Sequence, residues 1–179
     1  MAGPALSIEL DGPVSESALA ELRDLLAAVS SHLETKRRGF FDLQVAPDQL
    51  GLTAVDRDGD RPILVVVSGP GFGDEVVFEA EHADEPDPLP LFGFVPTHAI
   101  GVLAGCNGRV DHAVTAVLTA AVMDMVGGVA KLELDDRQVE TVRALHGFRG
   151  ATTESWPTAY GSAAFLRAWA AHPDFRLMK

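Results

Sequence analysis

Apolar side chains recur along the chain with the spacing of helices in some segments and of strands in others, and they are densest between residues 91 and 135. Residues 109–126 are mostly Val, Ala, Leu or Met, and the polar side chains at 111, 112, 115 and 119 fall on one narrow stripe of a helix. Gly127 and Gly128 follow, and glycine often ends helices because it adopts the left-handed conformation without strain. The pattern predicts a buried central helix over 109–126.

A membrane-spanning role for this helix is not expected. The apolar run is shorter than the roughly 20 residues that cross a bilayer. Asp111 and Asp124 also interrupt it, and charged side chains are costly in lipid.

Helical spacing marks two more main segments. Leucines recur through residues 17–33, after a serine that can cap a helix N-terminus. Lys36, Arg37 and Arg38 follow and could form a basic contact patch. Three charges are few for a binding surface, so we favour the other interpretation, in which they stabilise the negative end of the helix dipole. Near the C-terminus, Phe, Leu and Trp recur through residues 162–171, which predicts a third helix.

Alternating and continuous apolar runs predict strands. Strict alternation is found at residues 6–10 and 41–45, and the unbroken apolar run at 62–67 is typical of a strand covered on both faces. Residues 50–55 would pair with 62–67 through an Asp-Gly turn, and 75–81 would form the next strand.

Two further stretches are expected to be strands, and one to be irregular. The strands are 128–134, directly after the central helix, and a short terminal strand at 175–177. Residues 148–160 are predicted to be irregular, because Trp156 precedes a proline and is therefore disfavoured in a helix.

The order of these elements predicts the fold class. Strands follow one another between residues 41 and 81 without a helix, which argues against a parallel, doubly wound sheet. We therefore expect one α+β domain over residues 1–179, with a mainly antiparallel sheet of about six strands. Three main helices, 17–33, 109–126 and 162–171, would pack on it.

Composition adds a strong charge bias to this picture. The chain has 26 acidic and 14 basic residues and a net charge of −12. Such a surface repels phosphate backbones and anionic lipids, so nucleic acid and membranes are not expected as partners, whereas a cationic protein is. A single cysteine excludes an internal disulfide, and the N-terminus has no basic region followed by an apolar run, so the expected location is cytoplasmic.

The carboxylates concentrate before the central segment, in an acidic stretch with prolines. Its members are Glu79, Glu81, Asp84, Glu85 and Asp87. One interpretation is a solvated linker, because charged, proline-containing loops usually stay in water. The other is an acidic face that binds a partner, and these five residues are then the binding site.

Candidate chemistry is limited to His98, Cys106 and His112, which could share a pocket. A catalytic thiol–imidazole pair needs close contact between the two groups, a third group that orients the imidazole, and hydrogen-bond donors that stabilise an oxyanion. The sequence suggests only the cysteine and histidine themselves. A free cysteine in a turn such as Ala104-Gly105-Cys106-Asn107 is also commonly just a small buried residue. The three have no paired Cys or His spacing, so neither a metal nor a cofactor is expected. The sequence favours a non-enzymatic protein, with this pocket as the alternative.

Two stretches carry a resemblance to known proteins. The first runs from Gly93-Phe94-Val95-Pro96 through Cys106-Asn107 and Asp111-His112 to Gly127-Gly128, and the second contains Phe165-Leu166-Arg167-Ala168-Trp169 and His172-Pro173-Asp174-Phe175. Together they resemble uncharacterised actinomycete proteins that share a domain of unknown function. The strand–helix–Gly-Gly–strand layout is also similar to that of small α+β immunity proteins encoded beside polymorphic toxins.

The second resemblance implies a function in protein binding. A chain of this kind would neutralise a cognate cationic toxin through its acidic face. The matched positions are core and capping residues, so the resemblance transfers no functional residue. A third hypothesis is self-association, with the exposed face of the sheet forming a homodimer.

Overall fold

The structure is a computed structural model that describes residues 3–52, 59–73, 75–83, 89–153 and 156–178. It confirms the predicted α+β class and the antiparallel sheet, but with more strands than the predicted six. The strands are β1 Ala5–Leu10, β2 Ser30–Arg37, β3 Phe40–Val45, β4 Arg61–Ser68, β5 His98–Ala104, β6 Val129–Glu133, β7 Phe148–Thr152 and β8 Thr158–Gly161.

These strands form one eight-stranded sheet in the order β2-β3-β4-β5-β1-β6-β8-β7. Every neighbouring pair is antiparallel. The first strand therefore lies in the middle, with Ile8 opposite Ile100 of β5 on one side and Ala130 of β6 on the other.

The helices are α1 Glu16–Ala28, α2 Glu75–His82, α3 Leu89–Phe92, α4 Arg109–Val126, α5 Val139–Arg143 and α6 Ala163–Ala170. Two short 3-10 helices, Pro47–Leu50 and Asp136–Gln138, join neighbouring elements. Ser15 caps α1, because its hydroxyl accepts a hydrogen bond from the Ala18 N–H at 3.2 Å. Ser162 caps α6 in the same way.

The main core lies between one face of the sheet and the helices α1, α4 and α6. Alternation along each strand points every second residue at these helices, as Leu6, Ile8 and Leu10 do in β1. The predicted central helix is confirmed as α4, which contacts both α1 and α6. Its threonines are buried too, and each hydroxyl is satisfied by the backbone carbonyl four residues earlier.

Gly128 shows why a glycine must follow α4. Its φ is +89°, and a Cβ atom there would lie 2.6 Å from the Glu9 carbonyl oxygen. The chain thus turns directly from the helix into β6, which pairs beside β1. No larger residue fits this approach without moving the backbone.

The structure corrects the prediction for residues 17–33. Helix α1 ends at Ala28, and the following residues form β2 at an edge of the sheet. Leu33 faces Leu43 of β3, so an apolar residue that continued the helical spacing also fits a strand. Lys36 pairs with Glu34, and Arg38 pairs with Glu16. The prediction that the basic residues 36–38 stabilise a helix end is therefore wrong.

The prediction for residues 75–81 is also wrong, because they lie in helix α2. Val76 is 79% exposed whereas Phe78 is buried. The segment therefore has an exposed and a buried side, as a half-buried strand would, but its backbone is helical. The Glu75 carboxylate accepts from the Gly71 N–H at 2.8 Å, a contact that ties the first residue of α2 to the preceding turn.

Three further segments differ from the sequence prediction. Residues 148–160 contain the hairpin strands β7 and β8 and are not irregular throughout. Residues 50–52 form the end of a 3-10 helix and a turn, β3 pairs directly with β4, and 53–58 lie outside the described residues. Residues 175–177 form no strand, and the Leu177 N–H donates instead to His112 Nδ1 at 3.1 Å.

Candidate functional site

The second face of the sheet, opposite α1, α4 and α6, is only partly covered. Strand β5 points Ile100, Val102 and Ala104 into the main core, so its residues 99, 101 and 103 point to this second face. In the neighbouring strand β1, residues 5, 7 and 9 do the same. Most of these central residues are Ala, Ser or Gly, so a depression forms between the larger side chains around them.

This depression is a groove of about 510 Å³. Its apolar lining comes from Phe40, Val66, Leu103 and the alanines 5 and 99. Charged side chains also line it, namely Arg37, Glu81, Lys131 and Glu133. We refer to this feature as the sheet groove.

Helix α2 borders the sheet groove and is fixed to the sheet by a buried polar contact. Glu9 is fully buried, and its two oxygens accept from Ser7 Oγ at 2.7 Å and contact His82 Nε2 at 2.9 Å. The other His82 nitrogen, Nδ1, lies 2.7 Å from the Phe78 carbonyl oxygen and must donate to it. Because Nδ1 is the donor to Phe78, Nε2 donates to the Glu9 carboxylate when the imidazole is protonated, and the contact is then a charge-assisted hydrogen bond.

The surroundings raise the pKa of His82 above its ordinary value of 6.5. Burial acts in the opposite direction and is the largest single influence, because it disfavours the charged imidazolium. The hydrogen bonds to Glu9 and to the Phe78 carbonyl, together with the Glu9 charge, outweigh it. The positive charge of Lys131 has the smallest influence and lowers the pKa of His82.

A small second cluster seats α3 on the same face. Phe92 packs on Val129 and on Tyr160, with ring centres 5.0 Å apart in an edge-to-face arrangement. Burial raises the pKa of the Tyr160 hydroxyl. Helices α2 and α3 thus each cover part of the second face, and Glu81 of α2 lines the sheet groove.

The predicted acidic site is described only in part. Glu79 and Glu81 are exposed on α2, and Glu81 lines the sheet groove. Within the described residues, neither carboxylate forms an ion pair. The other three predicted residues, Asp84, Glu85 and Asp87, lie outside the described part of the chain.

The predicted pocket residues lie in different environments. Cys106 is exposed in the turn between β5 and α4, whereas His98 and His112 are buried. His98 contacts Thr97 Oγ1 at 2.9 Å and the Pro70 carbonyl at 3.1 Å. None of the three lines the sheet groove or the smaller cavity of about 490 Å³ beside Asp135 and Arg176. Across the described ranges, His, Cys, Asp and Glu form no group that could hold a metal ion.

Sequence reasoning missed Ser7, Glu9, His82, Gly101 and Lys131. A carboxylate in an otherwise apolar strand, as in residues 5–10, is the one signal that could have drawn attention to Glu9. His82 gave no such signal, because its contact with Glu9 joins residues 73 positions apart.

Comparison with known proteins places the chain in a family. The sequence profile of one family matches residues 2–179, nearly the whole chain. The chain belongs to DUF6368, a family of unknown function. The predicted membership of an uncharacterised family is thereby confirmed, and the DUF6368 match includes every residue of the sheet groove.

Searches of curated proteins and of solved structures returned no match. Among the helices that the structure describes, none has the length and apolar character needed to cross a membrane.

Proposed function

We propose that this member of DUF6368 is a cytoplasmic binding protein that neutralises a cationic protein, as an immunity protein neutralises its toxin. One observation carries the proposal: α2 presents the exposed carboxylates Glu79 and Glu81 within a stretch that contains no Lys or Arg. No Lys or Arg occurs between Arg61 and Arg109, although residues 74–87 contain seven of the chain's carboxylates.

The anchoring of α2 supports this function. Phe78 is buried, and His82 bonds to Glu9, so the helix is held to the sheet from its inner side. The exposed carboxylates Glu79 and Glu81 are then presented on a fixed support, and less conformational freedom is lost when a partner binds.

The net charge of −12 supports it as well. A field of one sign accelerates encounter with a partner of the opposite sign, and this effect weakens as salt screens it. The layout β5–α4–Gly127-Gly128–β6, which resembles that of toxin-immunity proteins, is consistent with the same function.

The test uses the product of the gene that neighbours the one encoding this chain. We expect that product to inhibit growth when expressed alone and to lose this effect when the chain is co-expressed. Replacing Glu79 and Glu81 by Lys should slow association by about tenfold or more at low salt and flatten its salt dependence. The matched control replaces Glu21 and Asp24, which are exposed on α1, by Lys.

The control has the same charge change at a different surface. If both double variants slow association equally, net charge alone acts and the α2 site is refuted. If the neighbouring product neither binds the chain nor inhibits growth, the immunity function is refuted.

A further inference from the structure

The strand register arranges the second face of the sheet in two neighbouring rows of side chains, each running across the strands from β3 to β6. The first row consists of Phe40, Val66, Gly101, Ser7 and Lys131. The second row lies two residues away on each strand and consists of Asp42, Leu64, Leu103, Ala5 and Glu133. Most of these residues line the sheet groove, and none of them belongs to the main core.

Leu103 and Gly101 form a large and a small position side by side at the centre of this face. Leu103 is 38% exposed, although β5 is paired with a strand on each side. Gly101 lies in the interior of the same strand, where glycine is unfavourable because it has more backbone freedom to lose and no side chain to pack. The Leu103 side chain leans towards it, since a Cβ atom on Gly101 would lie 3.3 Å from Leu103 Cδ1.

Packing within the chain does not explain this glycine. Its backbone is outside the left-handed region, and the only other atom near an added Cβ would be the Val66 carbonyl oxygen at 3.8 Å. In contrast, a Cβ atom on Gly161 would overlap the Phe165 ring. The register of β5 is regular on both sides, so no bulge accounts for Gly101 either. A glycine at such a position often marks the close approach of another molecule.

A two-fold axis that lies across the strands, between the two rows, makes this face complementary to itself. When two copies pack their sheets in an aligned manner about this axis, each first-row residue lies opposite the second-row residue of the same strand in the other copy. At β5, Leu103 of each copy then lies over Gly101 of the other. The two leucines meet at the axis, and the two glycines leave room for them.

The charges of the face match under the same rotation. Lys131 and Glu133 occupy the two rows on β6, so Lys131 of each copy lies opposite Glu133 of the other. The sheet groove as a whole is lined by two cations and two carboxylates, Arg37, Lys131, Glu81 and Glu133. Two chains with a net charge of −12 repel each other, so a face without net charge is where they can approach.

The anchor of helix α2 does not obstruct this approach. His82 contacts Glu9, which lies two residues beyond Ser7 on β1 and therefore on the side of the first row that is away from the axis. Both rows remain available to another sheet at the centre of the face.

We infer that this face binds a second copy of the chain and forms a symmetric homodimer. Leu103 of each copy packs over Gly101 of the other, and Lys131 pairs with Glu133 at both ends. Two rows of side chains make a small interface, so we expect a Kd in the micromolar range. The assembly is separate from the function proposed above, because it needs no other protein.

Sedimentation equilibrium of the full chain tests the assembly, over protein concentrations from about 1 μM to about 1 mM that span a micromolar Kd. The wild type should change from monomer to dimer. Leu103→Lys should stay monomeric throughout, because it places two like charges together at the axis. Val95→Lys is the matched control, since Val95 is 58% exposed outside this face, and this variant should associate like the wild type.

Exchanging the charges on β6 tests the symmetry itself. Lys131→Glu and Glu133→Lys should each weaken self-association by about tenfold or more, because like charges then face each other twice in the dimer. An equimolar mixture of the two variants should restore association to within about threefold of the wild type. In the mixed dimer, one contact keeps its native pair and the other has its two charges exchanged. Glu21→Lys makes the same charge change as Glu133→Lys on the exposed side of α1 and should have little effect.

Several outcomes would overturn the homodimer. They are a wild type that stays monomeric over the whole range, a folded Leu103→Lys that still dimerises, and folded charge variants whose mixture does not associate. Binding of the neighbouring gene product at Gly101 and Leu103 of a monomeric chain, seen by amide NMR shifts, would assign the face to that protein instead. Circular dichroism confirms folding, and if Lys131→Glu does not fold, Leu103→Lys and the comparison of Glu133→Lys with Glu21→Lys decide.

Discussion

His82 Nε2 lies 2.9 Å from Glu9 Oε2, and this contact joins helix α2 to the central strand of the sheet. Glu9 is fully buried, whereas the His82 side chain is 17% exposed, so the imidazole is the member of the pair that is in contact with solvent. The contact therefore links the position of α2 to pH.

The first prediction concerns this pair. Because the pKa of His82 is raised above 6.5 in the folded chain, the pair stabilises the fold fully below about pH 6.5. The contribution is lost as pH rises through the raised value. NMR titration of the imidazole should give a pKa above 6.5, and Glu9→Gln should lower it, because burial then acts without the carboxylate.

The matched control is Glu21→Gln, which removes a carboxylate that is exposed on α1. This variant should leave the pKa of His82 unchanged. An unchanged pKa of His82 in Glu9→Gln would show that the pair is not formed.

The second prediction concerns the main core. Leu118 of α4 is fully buried, so Leu118→Ala should lower the free energy of unfolding by about 2–5 kcal/mol through lost contacts and a cavity. Val76→Ala is the control at an exposed position and should change it by less than about 0.5 kcal/mol. Urea denaturation measures both, and similar losses in the two variants would contradict the assigned core.

The third prediction concerns the turn from α4 into β6. Gly128→Ala should cost at least roughly 1–3 kcal/mol from backbone strain, and more from the contact with the Glu9 carbonyl. Gly12→Ala, where the added methyl meets open space, should be nearly neutral. Thermal denaturation compares the two, and equal midpoints would exclude the close approach of β6 to β1.

The fourth prediction concerns the start of α1. Ser15→Ala removes the hydroxyl that accepts from Ala18 N–H and should cost about 1 kcal/mol. Ser15→Asp keeps an acceptor at the same place and should retain most of the stability. If Asp and Ala are equally destabilising in urea denaturation, the side chain is not the cap.

The fifth prediction concerns Cys106, which is exposed in the structure. A water-soluble thiol reagent should label the folded chain completely, without denaturant, because access is not limited by unfolding. Cys106→Ser provides the unlabelled control. Labelling that requires urea would show the thiol to be buried.

Much of the fold follows from the local spacing of apolar residues. The wrong secondary-structure predictions occur where the helical spacing and the strand spacing fit the same residues. The core helix 109–126 was predicted with the bounds that α4 has, because its apolar surface and its Gly-Gly end point to one structure. At Leu33, helical and strand spacing coincide, and only pairing with Leu43 decides. The alternating sequence of α2 is compatible with a strand as well as with a helix. In the fold, the helix buries Phe78 and brings His82 into contact with Glu9.

The sheet groove could not be predicted from the sequence, because it arises from residues of separate strands brought together by pairing. Gly101 and Ser7 are opposite each other across β5 and β1, although 94 positions separate them in the chain. Short-range patterns contain no information on such register. The acidic stretch, in contrast, was visible directly, and its function is the part that experiment must decide.

The place of β1 between β5 and β6 bears on how the chain acquires its structure during synthesis. Strand β1 is synthesised before its partners at residues 98–103 and 129–131, so it cannot pair until the chain has reached them. Long-range pairing of this kind slows folding and exposes strand edges in the interval. We therefore expect a nascent chain halted before β6 to need chaperone protection, because its central strand still has one side open.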